Sequence, residues 1–231
     1  MPPALLKLRV LEAVKNHPVP RRPDSWAKSY LVPAGLIVFA AGAMSLVLWI
    51  AGGPAHAAGR PAACGAAMAG GIGLLAIAAT ALALPSPRSM LSRPRGQLLA
   101  VMIGVPLLVG LWVGLWHAAY DDPFARTGLR CFALTAATAP WPFAALVSLR
   151  RRFDPVHPMF TGGALGAAAG AWAAMMVELW CPLASAGHVA LGHAAPVAAL
   201  VLAGALAGRR LFAGPASTAS SFRWANFWSG Y

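Results

Sequence analysis

Apolar residues fall into six long blocks, at about 30–51, 65–84, 98–118, 131–149, 159–180 and 188–207, separated by short polar connections. Each block is close to the roughly 20 residues that cross the hydrocarbon core of a bilayer. A span has no water to satisfy its backbone, so each block is expected to be an α-helix. Pro106, Pro140 and Pro142 lie inside blocks and predict kinks, with Ala139-Pro140-Trp141-Pro142 as the break in the fourth. The expected fold class is all-α, a polytopic membrane protein of six transmembrane helices. Three stretches follow: an N-terminal segment 1–29, a six-helix domain 30–208 and a C-terminal tail 209–231. The connections are too short for a second domain.

Composition agrees, since 59% of residues are hydrophobic and only 10% charged, against roughly 25% charged in soluble domains. The net charge of +12 does not mark a nucleic-acid reader, which gathers its basic residues on one folded face; here they punctuate the apolar blocks. Of the 18 Lys and Arg, fifteen fall in one set of alternate connections and termini, and only Arg60, Arg126 and Arg130 in the other. Positive residues near span ends stay in the cytoplasm, so both termini are expected inside, in a multi-pass protein of a bacterial inner membrane. The first thirty residues lack an uninterrupted apolar core followed by a cleavage site, with Pro18, Pro20, Arg21 and Arg22 intervening, so the first span is expected to be retained.

The three cysteines form no C-x-x-C, and no H-E-x-x-H occurs; metal or redox chemistry has to be assembled between helices. No nucleophile elbow, phosphate loop or carboxylate pair is found, so no enzyme, no cofactor and no direct contact with nucleic acid are expected. The six-span arrangement brings together at the outer side Cys64, His117, Cys131, Glu178, Cys181, His188 and, by position, His193. Cys131 opens the fourth span and Cys181 follows the fifth, so one close packing contact brings their Cβ atoms to the roughly 3.5–4.5 Å of a disulfide. The alternative is two inert, packed small hydrophobes. Glu178 lies within a span, where a carboxylate needs a partner or a task; His117 and His188 are the candidates. Gly162, Gly166 and Gly170, and again Gly204 and Gly208, lay smooth strips on their helices for close approach of a neighbouring backbone. Trp112, Trp116, Trp141, Trp172 and Trp180 read as packing or interfacial anchors.

Ahead of the first span, residues 4–17 have an amphipathic helical pattern. Leu6, Val10, Leu11, Ala13 and Val14 supply its apolar positions, with Arg9, Glu12, Lys15 and Asn16 largely opposite. A helix this short gains its order from a surface: an anionic membrane lipid surface or a groove in a partner protein.

From Arg130 onward the chain resembles the NrsF-like membrane anti-sigma factors, six-span proteins that hold a sigma factor at the inner membrane. The likeness rests on Cys131 with Pro140 and Pro142, then Arg151-Arg152-Phe153-Asp154-Pro155-Val156-His157-Pro158, then the glycines 162, 163, 166 and 170. It continues in Glu178-Leu179-Trp180-Cys181-Pro182, His188, Gly192 and Gly204 to Arg210. It implies that the N-terminal segment contacts an extracytoplasmic-function sigma factor, and that Cys131 and Cys181 respond to metal or oxidative stress. Under that resemblance, Cys131, Cys181, Glu178 and His188 form the sensor, as a soft-metal site or a Cys131–Cys181 disulfide, and Leu6, Val10, Leu11 and Val14 form the clamp. Two positions depart from the family: Leu183-Ala184-Ser185 lacks an acidic residue after the second cysteine, and His193 replaces an aromatic-glycine. A small transporter, with Glu178 and the glycines lining a path, and a thiol or metal sensor with a different partner are the alternatives.

Overall fold

The computed structural model describes residue 12 and residues 26–52, 60–84, 93–116, 126–150 and 156–212, with side chains in the first helix described from residue 34. The clamp residues Leu6, Val10, Leu11 and Val14, as well as His117, lie outside them. Every regular element among the described residues is helical: α1 (Trp26–Ile50), α2 (Ala62–Ala83), α3 (Arg95–Leu115), α4 (Leu129–Thr138), α5 (Pro140–Arg150), α6 (Pro158–Glu178) and α7 (Ala186–Val189). A π-turn (Ala190–Ala194) then leads into α8 (Ala195–Leu211). Five stretches are long and apolar enough to cross a membrane: α2, α3, α4 with α5, α6, and α7 through α8. In α1 the described apolar part is the shorter Ala34–Ile50.

Proline chemistry explains the internal breaks. Pro106 sits within α3 without ending it, whereas the closely spaced Pro140 and Pro142 separate α4 from α5 at Ala139, where the sequence placed the break.

The bundle is organised around α6, which packs on α2, α3, α5 and α8. Its buried run Thr161–Ala171 is almost all Gly and Ala, so several helices approach its backbone at once. The closest is α8. A Cβ on Gly162 would run into the Gly204 carbonyl oxygen and stand 2.6 Å from the Gly208 Cα, and one on Gly166 would overlap the Leu200 carbonyl oxygen. The neighbouring backbone expected along the glycine strip is therefore that of the sixth apolar block. Trp112 fills the space left by Gly71 and donates its Nε1 hydrogen to the Met68 carbonyl at 3.0 Å; Trp172 donates to Thr80 Oγ1 at 3.1 Å. Both act as packing residues with a satisfied polar tip.

These contacts define two ends. The start of α6 lies against the end of α8, and Arg95 at the start of α3 stacks over the Phe160 ring, 4.4 Å from its centroid. The far end of α6 carries Glu178 and leads into the Cys181–Ser185 connection. The outer surface is as apolar as the interior, with Leu74, Ile77, Leu107, Leu111, Leu202 and Leu206 all exposed.

Candidate functional site

At the Glu178 end, four elements converge. Gly128, just before α4, meets Gly192 in the π-turn so closely that a Cβ on Gly128 would fall 2.6 Å from the His188 carbonyl oxygen. Two missing side chains thus let the start of α4 sit on the π-turn, which carries Cys131 to the Cys181 connection. The two sulfurs are 3.5 Å apart as free thiols. Cys181 Sγ is 3.1 Å from His188 Nε2, and His188 Nδ1 is 3.1 Å from the Arg126 carbonyl oxygen. A carbonyl only accepts, so His188 carries its hydrogen on Nδ1 and turns the Nε2 lone pair toward the thiol.

His193 completes the cluster. One ligand atom from each of Cys131, Cys181, His188 and His193 lies within 4.8 Å of the others, and all four residues are buried. In an α-helix, residues five apart point about 140° away from each other. The i→i+5 bonding of the π-turn widens that stretch of helix and brings the His188 and His193 rings to 5.6 Å between centroids. Contact with the Cys131 thiol, then burial, push the Cys181 thiol up to about 11, with His188 and His193 offsetting part of the shift. Cys181 therefore rests as a neutral thiol, and a metal bound there would have to displace its proton.

Glu178 stands behind His193: its Oε2 is 3.4 Å from His193 Nδ1, while its Oε1 receives the Arg60 guanidinium at 2.6 Å. Arg60 also donates to the carbonyl oxygens of Glu178, at 2.6 Å, and Cys181, at 2.7 Å. Both side chains are inside, at 4% and 0% exposure. Gly65 makes the room, because a Cβ there would stand 2.9 Å from the guanidinium. Arg60 thus ties the segment before α2 to the last turn of α6 and to the backbone of Cys181. From the sequence it was only an outer-side charge; what marks it is Gly65 five residues on, and that mark is faint. Of the two expected partners of Glu178, His117 lies outside the described residues, and His188 bonds Cys181 and the Arg126 carbonyl while acting on Glu178 through its charge.

The residues present fit a soft divalent ion. Tetrahedral zinc, with bonds of about 2.0–2.3 Å, holds its donors roughly 3.3–3.8 Å apart, so the cluster needs only a small contraction. Neither His193 nitrogen has a hydrogen-bond partner of full geometry in this buried place. A carboxylate behind a histidine is also the usual support for a metal-bound imidazole. Access exists: a cleft lined by Leu48, Leu134, Val177, Trp180 and Arg130 reaches Cys131, Cys181 and His188.

The family model described as negative regulator of sigma F (NrsF) matches residues 12–213, a stretch containing every residue of this centre. The chain belongs to that family. Among curated proteins and among solved structures, no match is found. A negative regulator of sigma F has a sigma factor as its partner, and an anti-sigma factor works by holding that partner rather than by turning over a substrate. In this NrsF chain the four clustered side chains offer two sulfur and two nitrogen donors that could hold a metal ion.

Proposed function

We propose that the protein is a six-span anti-sigma factor of the bacterial inner membrane, with both termini in the cytoplasm. Residues 1–29 hold an extracytoplasmic-function sigma factor, and metal or oxidative stress at the Cys131–Cys181 centre releases it. The observation that carries this reading is the buried cluster of Cys131, Cys181, His188 and His193 at one end of the bundle, about 30 Å along α6 from the end where the basic residues gather. The lipid-like exposure of leucines on α2, α3 and α8 and the charge bias support the membrane location.

The described residues suggest how a local event travels. A bound soft ion would supply a single centre drawing both sulfurs and both ring nitrogens to its own bond lengths. Oxidation by a peroxide would remove two protons and two electrons from the thiols, form the S–S bond and yield two waters. Either event draws the start of α4 toward the Cys181 connection and, through the Gly128–Gly192 contact, loads the π-turn. Beyond the π-turn, α8 lies on α6 along glycines with little side-chain interlock. Small displacements at such an interface are the kind that switch a helix pair between two packings.

Two outcomes test the arrangement. Reporter fusions after Arg95, Arg152 and Arg210 are expected to be cytoplasmic, and those after Arg60, Arg126 and Ser185 periplasmic; one clear inversion breaks the six-span reading. At the clamp, Leu6→Asp, Val10→Asp or Val14→Asp is expected to weaken sigma-factor binding by about a hundredfold or more, because a charge buried without a partner costs several kcal/mol and each 1.4 kcal/mol is tenfold. Lys15→Ala, on the opposite face, should change it little. A sigma factor still bound, with its genes silent, after deletion of residues 1–29 would give the clamp to another part of the chain.

A further inference from the structure

At the end of the bundle away from the cysteines, the described charge is of one sign. Arg93 is committed to backbone, donating to the Leu84 and Ala81 carbonyls at 3.1 and 3.0 Å, and Arg95 stacks on Phe160. Arg209 and Arg210 are exposed in the last turn of α8. Arg150, the last residue of α5, differs from all of these. It is only 2% exposed, its Nε has no hydrogen-bond partner, and no ion pair is formed to it among the described residues. The charge that acts on it is Arg93, of the same sign. From Leu36 onward the one acidic residue described is Glu178, at the opposite end.

A guanidinium does not deprotonate in a protein, and a buried charge without a counter-charge is costly enough to demand one. The missing group is therefore an anion. A guanidinium favours phosphate, whose oxygens its planar fork takes in pairs, and Arg93 adds charge of the same sign nearby. The surroundings narrow the source. Val156 and Met159, where the chain passes from α5 into α6, are 70% and 42% exposed, and Leu82, next to the backbone that Arg93 holds, is 37% exposed. A ligand that sets a phosphate on Arg150 and apolar chains against such residues is an anionic phospholipid. Basic sites between spans on the cytoplasmic side are suited to such headgroups.

We propose that Arg150, with Arg93 beside it, is a binding site for the phosphate of an anionic phospholipid at the cytoplasmic end of the bundle. The proposal rests on the membrane reading above, which is checked first: the full-length chain must require detergent for extraction, and a chain that remains in the aqueous fraction without it sinks that reading before any lipid is added. The purified protein is then titrated with phosphatidylglycerol or phosphatidylcholine, and retained lipid is counted by native mass spectrometry. The wild type is expected to retain one phosphatidylglycerol in preference to phosphatidylcholine. Arg150→Gln should lower that retention by about tenfold or more, Arg93→Gln should lower it less, and Arg209→Gln should leave it unchanged. Arg150→Lys keeps the charge without the fork and should fall between wild type and Arg150→Gln; with Arg93→Gln it decides the matter if Arg150→Gln does not fold. Inorganic phosphate that displaces the lipid at equal concentration would make a free phosphate the ligand and overturn the lipid assignment. Retention in Arg150→Gln equal to wild type overturns the site.

Discussion

Cys131→Ser and Cys181→Ser are each expected to leave the protein inserted and the sigma factor held, yet to abolish induction of the sigma-dependent genes by thiol-reactive agents and soft metals. The reason is geometric: the sulfurs are 3.5 Å apart and share their ion-binding neighbourhood with His188 and His193, so removing one donor ends both metal capture and disulfide formation. The double variant should be no worse than either single one, because the two residues act as a unit. Moving a clamp from 1:99 to 99:1 takes about 5.5 kcal/mol, which lies within the roughly 10–16 kcal/mol available from a structural thiolate–imidazole zinc site. Cys64 is half-buried in α2 and outside the cluster, so Cys64→Ser should respond as wild type does. Arg60→Ala should behave differently from the cysteine variants. It leaves Glu178 as a buried charge without its guanidinium partner, at a cost of about 3–5 kcal/mol, so protein accumulation should fall together with the response. Arg60→Lys should rescue it only in part, since an ammonium cannot reproduce the two guanidinium nitrogens that serve three acceptors. Reporter induction read beside membrane-fraction abundance separates the two kinds of loss; normal induction in both cysteine variants would return the thiols to the role of inert packing.

The second large effect is expected along the α6–α8 seam. A methyl group added at Gly162 or Gly166 meets carbonyl oxygens of α8 rather than the end of a flexible side chain, so the helices have to move apart. Overpacking a tight core costs about 1–3 kcal/mol per site even where side chains can yield, and here none can. Gly162→Leu and Gly166→Leu are therefore expected to lower the thermal transition of the detergent-solubilised protein strongly. Gly70→Ala and Gly104→Ala, where an added Cβ meets nothing within 4 Å, should be neutral or slightly stabilising, because Ala is the better helix former. A Gly166→Leu transition equal to that of Gly104→Ala would remove the seam from the account, and with it the route by which the cysteine end reaches the other.

The two lines of prediction draw on different kinds of information. Apolar block length, the backbone's need for internal hydrogen bonds in an apolar medium and the positions of proline are local properties. They place the helices to within a few residues and the α4–α5 break at Ala139, and the same reading puts Cys131 and Cys181 at adjoining ends of consecutive blocks. The charge segregation is local too, and by itself it separates a basic end from a thiol end. Tertiary structure alone decides which partners meet. Arg60 reaches Glu178 across 118 residues, an ion pair that no periodicity encodes. The glycine strip of α6 meets α8, where Gly204 and Gly208 face Gly162 and let the two backbones touch. His193 joins His188 because the backbone shifts to i→i+5 bonding for one turn, the turn on which Gly128 packs against Gly192. Helix formation depends on each residue and its near neighbours, so it can be read along the chain; the buried charge pair and the four-donor cluster exist only where distant segments exclude solvent together.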